Sequence, residues 1–273
     1  EIYTLSLHDA LPIFPWHEDG LNAAVQTMLD TRVEGVLLDG IRFTPEAKAI
    51  VNRLLKAKIP AVALNNTAHP AIPAVTADFY QGGRLVADHL LSLGYRKITI
   101  IAPQSALDPA CARENSTLRV AGYRDRLAEA GCKAEVVTTV PATNELLIMG
   151  DSYESSRQAM LKILKQENRP EAVICANDHY AIGALKACRE MGVEVPEEMA
   201  LVGFDNTAVG NYLDPTLTSV AVTTRAVAEA AVDLLLRLIR KETMGPAVVT
   251  MPCSLVIRES CGSALRMKSR CVA

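Results

Sequence analysis

EAVICANDHYAIGALKACREMGVEVPEEMALVGF, residues 171–204, holds two short apolar runs separated by one segment of helical length. It opens on EAVICA (171–176), an apolar run of strand length. Asn177 and Asp178 then supply the short side-chain oxygens that start helices. The segment Tyr180 to Met191 reads as that helix, and Gly192 ends it as the residue that enters left-handed backbone most cheaply. MALVGF (199–204) is the next apolar run. Consecutive strands joined through a single helix lie parallel, with a right-handed crossover.

The same unit recurs towards the N-terminus. A helix around Leu21 to Leu29 precedes VEGVLL (33–38), and Pro45 opens a helix through Leu55 that leads to IPAVAL (59–64). A helix from Gln81 to Leu93 stops at Gly94 before KITIIA (97–102). Next come a helix from Thr117 to Ala130 closed by Gly131, a strand at 134–139 and a helix from Glu154 to Gln166. Beyond the opening stretch, the helix Ala226 to Ile239 is apolar on nearly all sides, which predicts burial between layers or subunits. The class is α/β, built of doubly wound parallel sheets. No Pro- or Ser-rich linker divides the chain.

Composition narrows the function. A chain of 273 residues buries roughly three quarters of its surface and folds without disulfide or metal. Its net charge of −3 leaves no basic footprint for displacing counterions from phosphate, so these residues alone are not expected to hold DNA. Seven cysteines form an odd set without a CxxC pair, which fits a reducing cytoplasm. No apolar stretch approaches the ~18 to 20 residues that span a bilayer, and no membrane partner is expected. Phosphate-loop, GxGxxG, GxSxG and HExxH patterns are absent, and the five histidines are scattered. The expectation is a protein that is not an enzyme and that needs neither cofactor nor metal. His89 reads as an ordinary packed side chain.

EIYTLSLHDALPIF (1–14) has neither helical nor strand periodicity, and Thr4 to Ile13 resembles one reading frame of a sequencing-library adapter. The expectation is a non-native segment.

Six blocks in order are similar to the effector-binding core of the LacI/GalR family. They are VTADFYQGGRLVADHLLSLGYRKITIIA (75–102), RENSTLRVAGYRDRL (113–127), AVICANDHYAIGALKA (172–187), GVEVPEEMALVGFDN (192–206), DPTLTSVAV (214–222) and PCSLVIRES (252–260). The LVIRES ending separates this group from periplasmic sugar-binding proteins of the same fold. The resemblance implies two doubly wound, periplasmic-binding-protein-like lobes that close on a small effector, with three crossings between them. It places residues 15–102 plus 224–244 in the N-terminal lobe, 103–223 plus 245–260 in the C-terminal lobe, and 261–273 in a tail. It also implies that the helix-turn-helix head and the first βαβ of the N-terminal lobe are missing, which predicts an unpaired strand edge and a chain of low stability.

The resemblance further implies the site. Asp205, directly after MALVGF, accepts hydrogen bonds from the effector, or else merely caps the FDN turn. Arg119 offers its guanidinium fork to paired oxygens, or else is a solvated helix residue. Arg113 and Asn115 match variable specificity positions. Asn177 is either a contact or an N-cap, with Asp178 available for the cap instead. Asn65 stands where relatives often have Asp. Tyr153 offers a stacking ring, although GDSYESS is one residue shorter than the family pattern. Gly82 and Gly83 allow close backbone approach. The implied partners are a sugar or a purine/nucleoside effector, a second copy in a homodimer, and operator DNA reached only through the missing head. The alternatives are a solute-binding receptor of a sugar importer and a doubly wound sugar-processing enzyme.

Overall fold

The computed structural model describes residues 18–39, 45–65, 71–112, 114–139, 149–242 and 248–266. The adapter-like stretch 1–14, Arg113 and the end of the tail lie outside the described residues. In chain order the first elements are α1 (Glu18–Asp30), β1 (Val36–Asp39), α2 (Pro45–Lys56), β2 (Ala61–Leu64), β3 (Ala74–Ala77), α3 (Phe79–Ser92) and β4 (Ile98–Pro103). They are followed by α4 (Asn115–Glu129), β5 (Glu135–Thr139), α5 (Met149–Leu164), β6 (Ala172–Cys175), α6 (Asp178–Glu190) and β7 (Ala200–Asp205). The last are β8 (Thr218–Ala221), α7 (Thr224–Ile239), β9 (Val248–Met251) and β10 (Ser254–Val256).

The strands form two sheets. The first is four-stranded and parallel, in the order β1-β2-β3-β9. Alternation along its strands sends Val36, Leu38, Ala61, Ala63 and Ala74 into a core with Val25, Ile50 and Leu54 of α1 and α2. Val62 and Val75 pack on the opposite side against Val227, Ala231 and Leu234 of α7. Only one stripe of α7 is buried, with Val232 and Leu236 exposed, so the expected burial on nearly all sides does not hold within one chain. Among the described strands β1 has β2 as its only partner, and Leu37 on this edge is exposed.

The second sheet runs β10-β8-β7-β6-β4-β5, parallel except for β10 against β8. The helices pair as α3 with α4 and α5 with α6. Leu90, Ile100, Tyr123, Met160, Ile174 and Phe204 share its single large core. Both lobes are thus covered by helices, as the α/β reading requires.

Two lobe boundaries need correction. Residues 79–102 were expected in the first lobe, yet β4 pairs β5 and β6 in the second sheet, and α3 packs on α4. Residues 248–251 were expected in the second lobe, yet β9 pairs β3 along four positions, Ala74 to Ala77. The chain therefore changes sheets between β3 and α3, between β8 and α7, and between β9 and β10. The resemblance implies three crossings without fixing the residues at which they fall, and local periodicity reports a strand's burial but not its partner, so only the pairing places these boundaries.

The remaining sequence features fall into place locally. Gly94 ends α3 at φ +89, as its position predicts, and the ring of His89 lies 3.3 Å from the buried Cys261 sulfur. Among the described residues no helix is long and apolar enough to cross a membrane.

Candidate effector site between the sheets

The candidate site gathers at the C-terminal ends of the second sheet's strands, next to the point where the chain enters from the first sheet. In open parallel sheets these ends are where loops converge on ligands. β7 ends on Asp205 at φ 99, and Asn206 follows at φ 49. Two successive side chains in left-handed backbone are costly, and Asp and Asn tolerate it best. The turn persists because its surroundings hold it. Asn206 N–H donates to Ser219 Oγ (3.0 Å), and Arg258 Nη2 donates to Asn206 Oδ1 (2.8 Å). Thr207 donates through its backbone N–H (2.6 Å) and its hydroxyl (2.9 Å) to the carboxylate of Asp178, which also accepts from Ser219 Oγ at 2.6 Å.

Asp178 is 1 % exposed, and burial pushes its carboxyl above the ordinary value while the Ser219 and Thr207 donors oppose the rise. Asn177 is the N-cap of α6, its side chain accepting from Tyr180 N–H at 3.0 Å. Between the two readings of Asn177, the cap is the one the hydrogen bond realises. Asp178, considered as the alternative cap, instead anchors the Asp205 turn from below.

Arg119 lies on the first turns of α4 and is 8 % exposed, so it is not a solvated helix arginine. Its Nη1 stands 3.5 Å from Asp205 Oδ1 and donates to the Ala176 carbonyl at 2.5 Å, while Nε donates to the Asn115 carbonyl at 3.3 Å. The guanidinium carbon lies 4.6 Å from the Phe204 ring centre and 5.5 Å from that of Phe79. The two rings stack with centres 6.0 Å apart. A guanidinium facing aromatic surfaces is both oriented and shielded from water. Burial pushes the Asp205 carboxyl up from its ordinary 3.8, Arg119 pulls it back, and Asp178 adds to the rise.

The sequence candidates thus separate. Arg119 contacts Asp205 and, within its own helix, the backbone carbonyl of Asn115, and Asn177 adjoins the Ala176 carbonyl that Arg119 holds. Tyr153 meets the ring of His179, next to Asp178, edge-on with centres 5.0 Å apart. Asn65 lies beside the other sheet, where it directly follows β2 at φ 51 and accepts from Ala77 N–H at 3.4 Å. Arg113 lies outside the described residues. Phe79, Phe204, Ser219 and Arg258 were not singled out from the sequence. The only available signals were an aromatic directly after the capping Asp78 and an arginine inside LVIRES.

Residues 87–261 match the family described as periplasmic binding protein-like domain, which is more than half of the chain. The HTH-type transcriptional repressor MelR of Bacillus subtilis (strain 168) is 31 % identical over 231 residues, covering 84 % of this chain and 64 % of that repressor. The structure of the transcriptional regulator CelR in complex with cellobiose superposes with a TM-score of 0.73 at 25 % identity, over 89 % of this chain and 70 % of that one. The lac repressor dimer bound to operator and the anti-inducer ONPF superposes with a TM-score of 0.73 at 26 % identity, over 89 % and 79 %. The succession of blocks, the paired sheets and these matches agree, and the chain belongs to the periplasmic binding protein-like domain family, within its LacI-type group of transcription regulators.

Proposed function

We propose that this chain binds a small polar effector, a sugar or a purine/nucleoside, between its two sheets, and that this binding governs operator DNA recognition by an attached helix-turn-helix head. The observation that carries the proposal is the Arg119–Asp205 pair. A half-buried carboxylate on a strained turn, 3.5 Å from a buried guanidinium, presents an acceptor and a donor side by side. That pairing suits a ligand with neighbouring hydroxyls or ring N–H groups. The cellobiose in the CelR complex is a ligand of this kind. Asn115, Tyr153 and, across the crossing, Asn65 are proposed as further contacts, with Asn177 contributing chiefly as a cap. Allosteric control requires the effector to prefer one arrangement of the lobes, since only a difference in affinity shifts an equilibrium. A cytoplasmic homodimer is proposed as the working form, supported by the dimeric lac repressor and by Tyr212, which is 87 % exposed.

The test is a thermal-shift screen of sugars and nucleosides. A binder at about a hundred times its Kd stabilises by about 2.7 kcal/mol, or roughly 5 to 10 °C for a chain of this size. Asp205→Asn is expected to erase the shift, and an unchanged response in that variant would refute the assignment.

Affinity also carries a pH signature. The ionised Asp205 is the acceptor, and its pKa in the fold is raised, so binding is lost as pH falls through a value above the ordinary 3.8. Stability runs the other way at this group, because protonation relieves the cost of burying the charge. Calorimetric titration of the unmodified chain at a series of pH values measures the first effect, and an affinity that does not change with pH would contradict it.

A further inference from the structure

The parallel strands of the first sheet leave their N-terminal ends at the pole away from the β3–α3 crossing, and a cavity of about 430 Å³ opens there. Its wall includes apolar Leu29, Val33, Ile59, Pro60, Leu238 and Ile239. Three cations, Arg32, Lys58 and Lys241, also line it, against one acid, Glu34. Each cation follows a different helix, α1, α2 and α7 respectively, and each has left-handed backbone, at φ 53, 57 and 58. All three are exposed. Among the described residues none of them forms an ion pair, and the neighbouring Glu242 is engaged by Arg237 and Arg240 at 3.4 and 3.9 Å.

Offsetting the helix dipoles explains one cation near each helix end. It does not explain three cations around one concavity with apolar walls, at backbone positions glycine fills most cheaply. We propose that this pole is a second binding site, separate from the Arg119–Asp205 pair, for a small organic anion such as a phosphate monoester or carboxylate with an alkyl or aryl body. The apolar wall takes the body, and the three cations take the charge. A DNA backbone brings phosphates but no apolar body to fill a cavity of ligand size.

The probe is hexyl phosphate, titrated into the full chain by calorimetry, with hexanol and inorganic phosphate as controls. Hexyl phosphate is expected to bind one per chain and more tightly than either control. Arg32→Glu, Lys58→Glu and Lys241→Glu, all at exposed positions, are each expected to weaken it by about threefold to fivefold, the scale of an exposed ion pair. Glu34→Lys is expected to tighten it, which separates a direct charge effect from damage to the fold. Asp205→Asn leaves it unchanged. The proposal is overturned if the reversals leave the affinity as it was or if hexanol binds equally well. It is equally overturned if hexyl phosphate fails to bind, and retention of random duplex DNA that the reversals abolish would assign the three cations to a phosphodiester backbone instead.

Discussion

Alanine at position 122 is expected to destabilise the chain by about 3 kcal/mol, a fall of roughly 6 to 12 °C in its thermal midpoint. The reason is the contact between α3 and α4. A Cβ on Gly122 would stand 2.1 Å from the Tyr80 carbonyl oxygen and 3.1 Å from Arg84 N. The contact is reciprocal, since a Cβ on Gly83 would meet the Arg119 carbonyl at 2.3 Å and Tyr123 N at 3.1 Å. These obstacles are helical backbone and cannot rotate away as a side chain would, so the helices must separate. Separation has a functional consequence as well, because α3 begins with Phe79 and α4 carries Arg119. Gly122→Ala is therefore expected to lose effector response along with stability. Melting followed by circular dichroism gives the first quantity, and a change under about 1 kcal/mol would contradict this packing.

Arg119→Met is expected to cost about 2 to 3 kcal/mol, below the usual price of breaking a fully buried pair, because Asp205 keeps access to water. Methionine fills much of the volume beside Phe79 and Phe204, so little of the loss comes from a cavity. What is lost is the donor to the Ala176 carbonyl and the cation beside Asp205. With that cation gone, Asp205 is expected to titrate still higher, since burial then acts unopposed by Arg119. Arg119→Lys is not expected to rescue, because an ammonium lacks the planar fork that reaches Asp205, Ala176 and Asn115 together. Urea denaturation measures the stability term. Rescue by lysine of both stability and effector response would show that charge alone matters here.

What could be read from the sequence was what local chemistry encodes. The helices from Pro45, around Tyr180 and before Gly94 announce themselves by caps and periodicity, and the structure places them within a few residues. The position of Asp205 at the end of an apolar strand was legible, and β7 does end on it. The short strands AVTA, TSVA, VVTM and SLV were not identified from periodicity, being three or four residues long and rich in small or polar side chains. Lobe membership of β4 and β9 depends on pairing with distant segments, which no window along the chain reports. The same holds for the site's support. Phe79 and Phe204 lie on opposite sides of more than a hundred residues, and Arg258 reaches Asn206 from just after β10. Asp178 and Asn177 look interchangeable in sequence. Only the fold shows one turned to the helix start and the other to Thr207 and Ser219.

If an effector sits between the sheets on the Arg119–Asp205 pair, it can be seen there. A crystal structure of this chain with the sugar or nucleoside that shifts its melting most tests it directly. The expected density shows the ligand with a hydroxyl or ring N–H donating to the Asp205 carboxylate and an oxygen accepting from Arg119. Density for that ligand elsewhere, with Asp205 and Arg119 untouched, would contradict it.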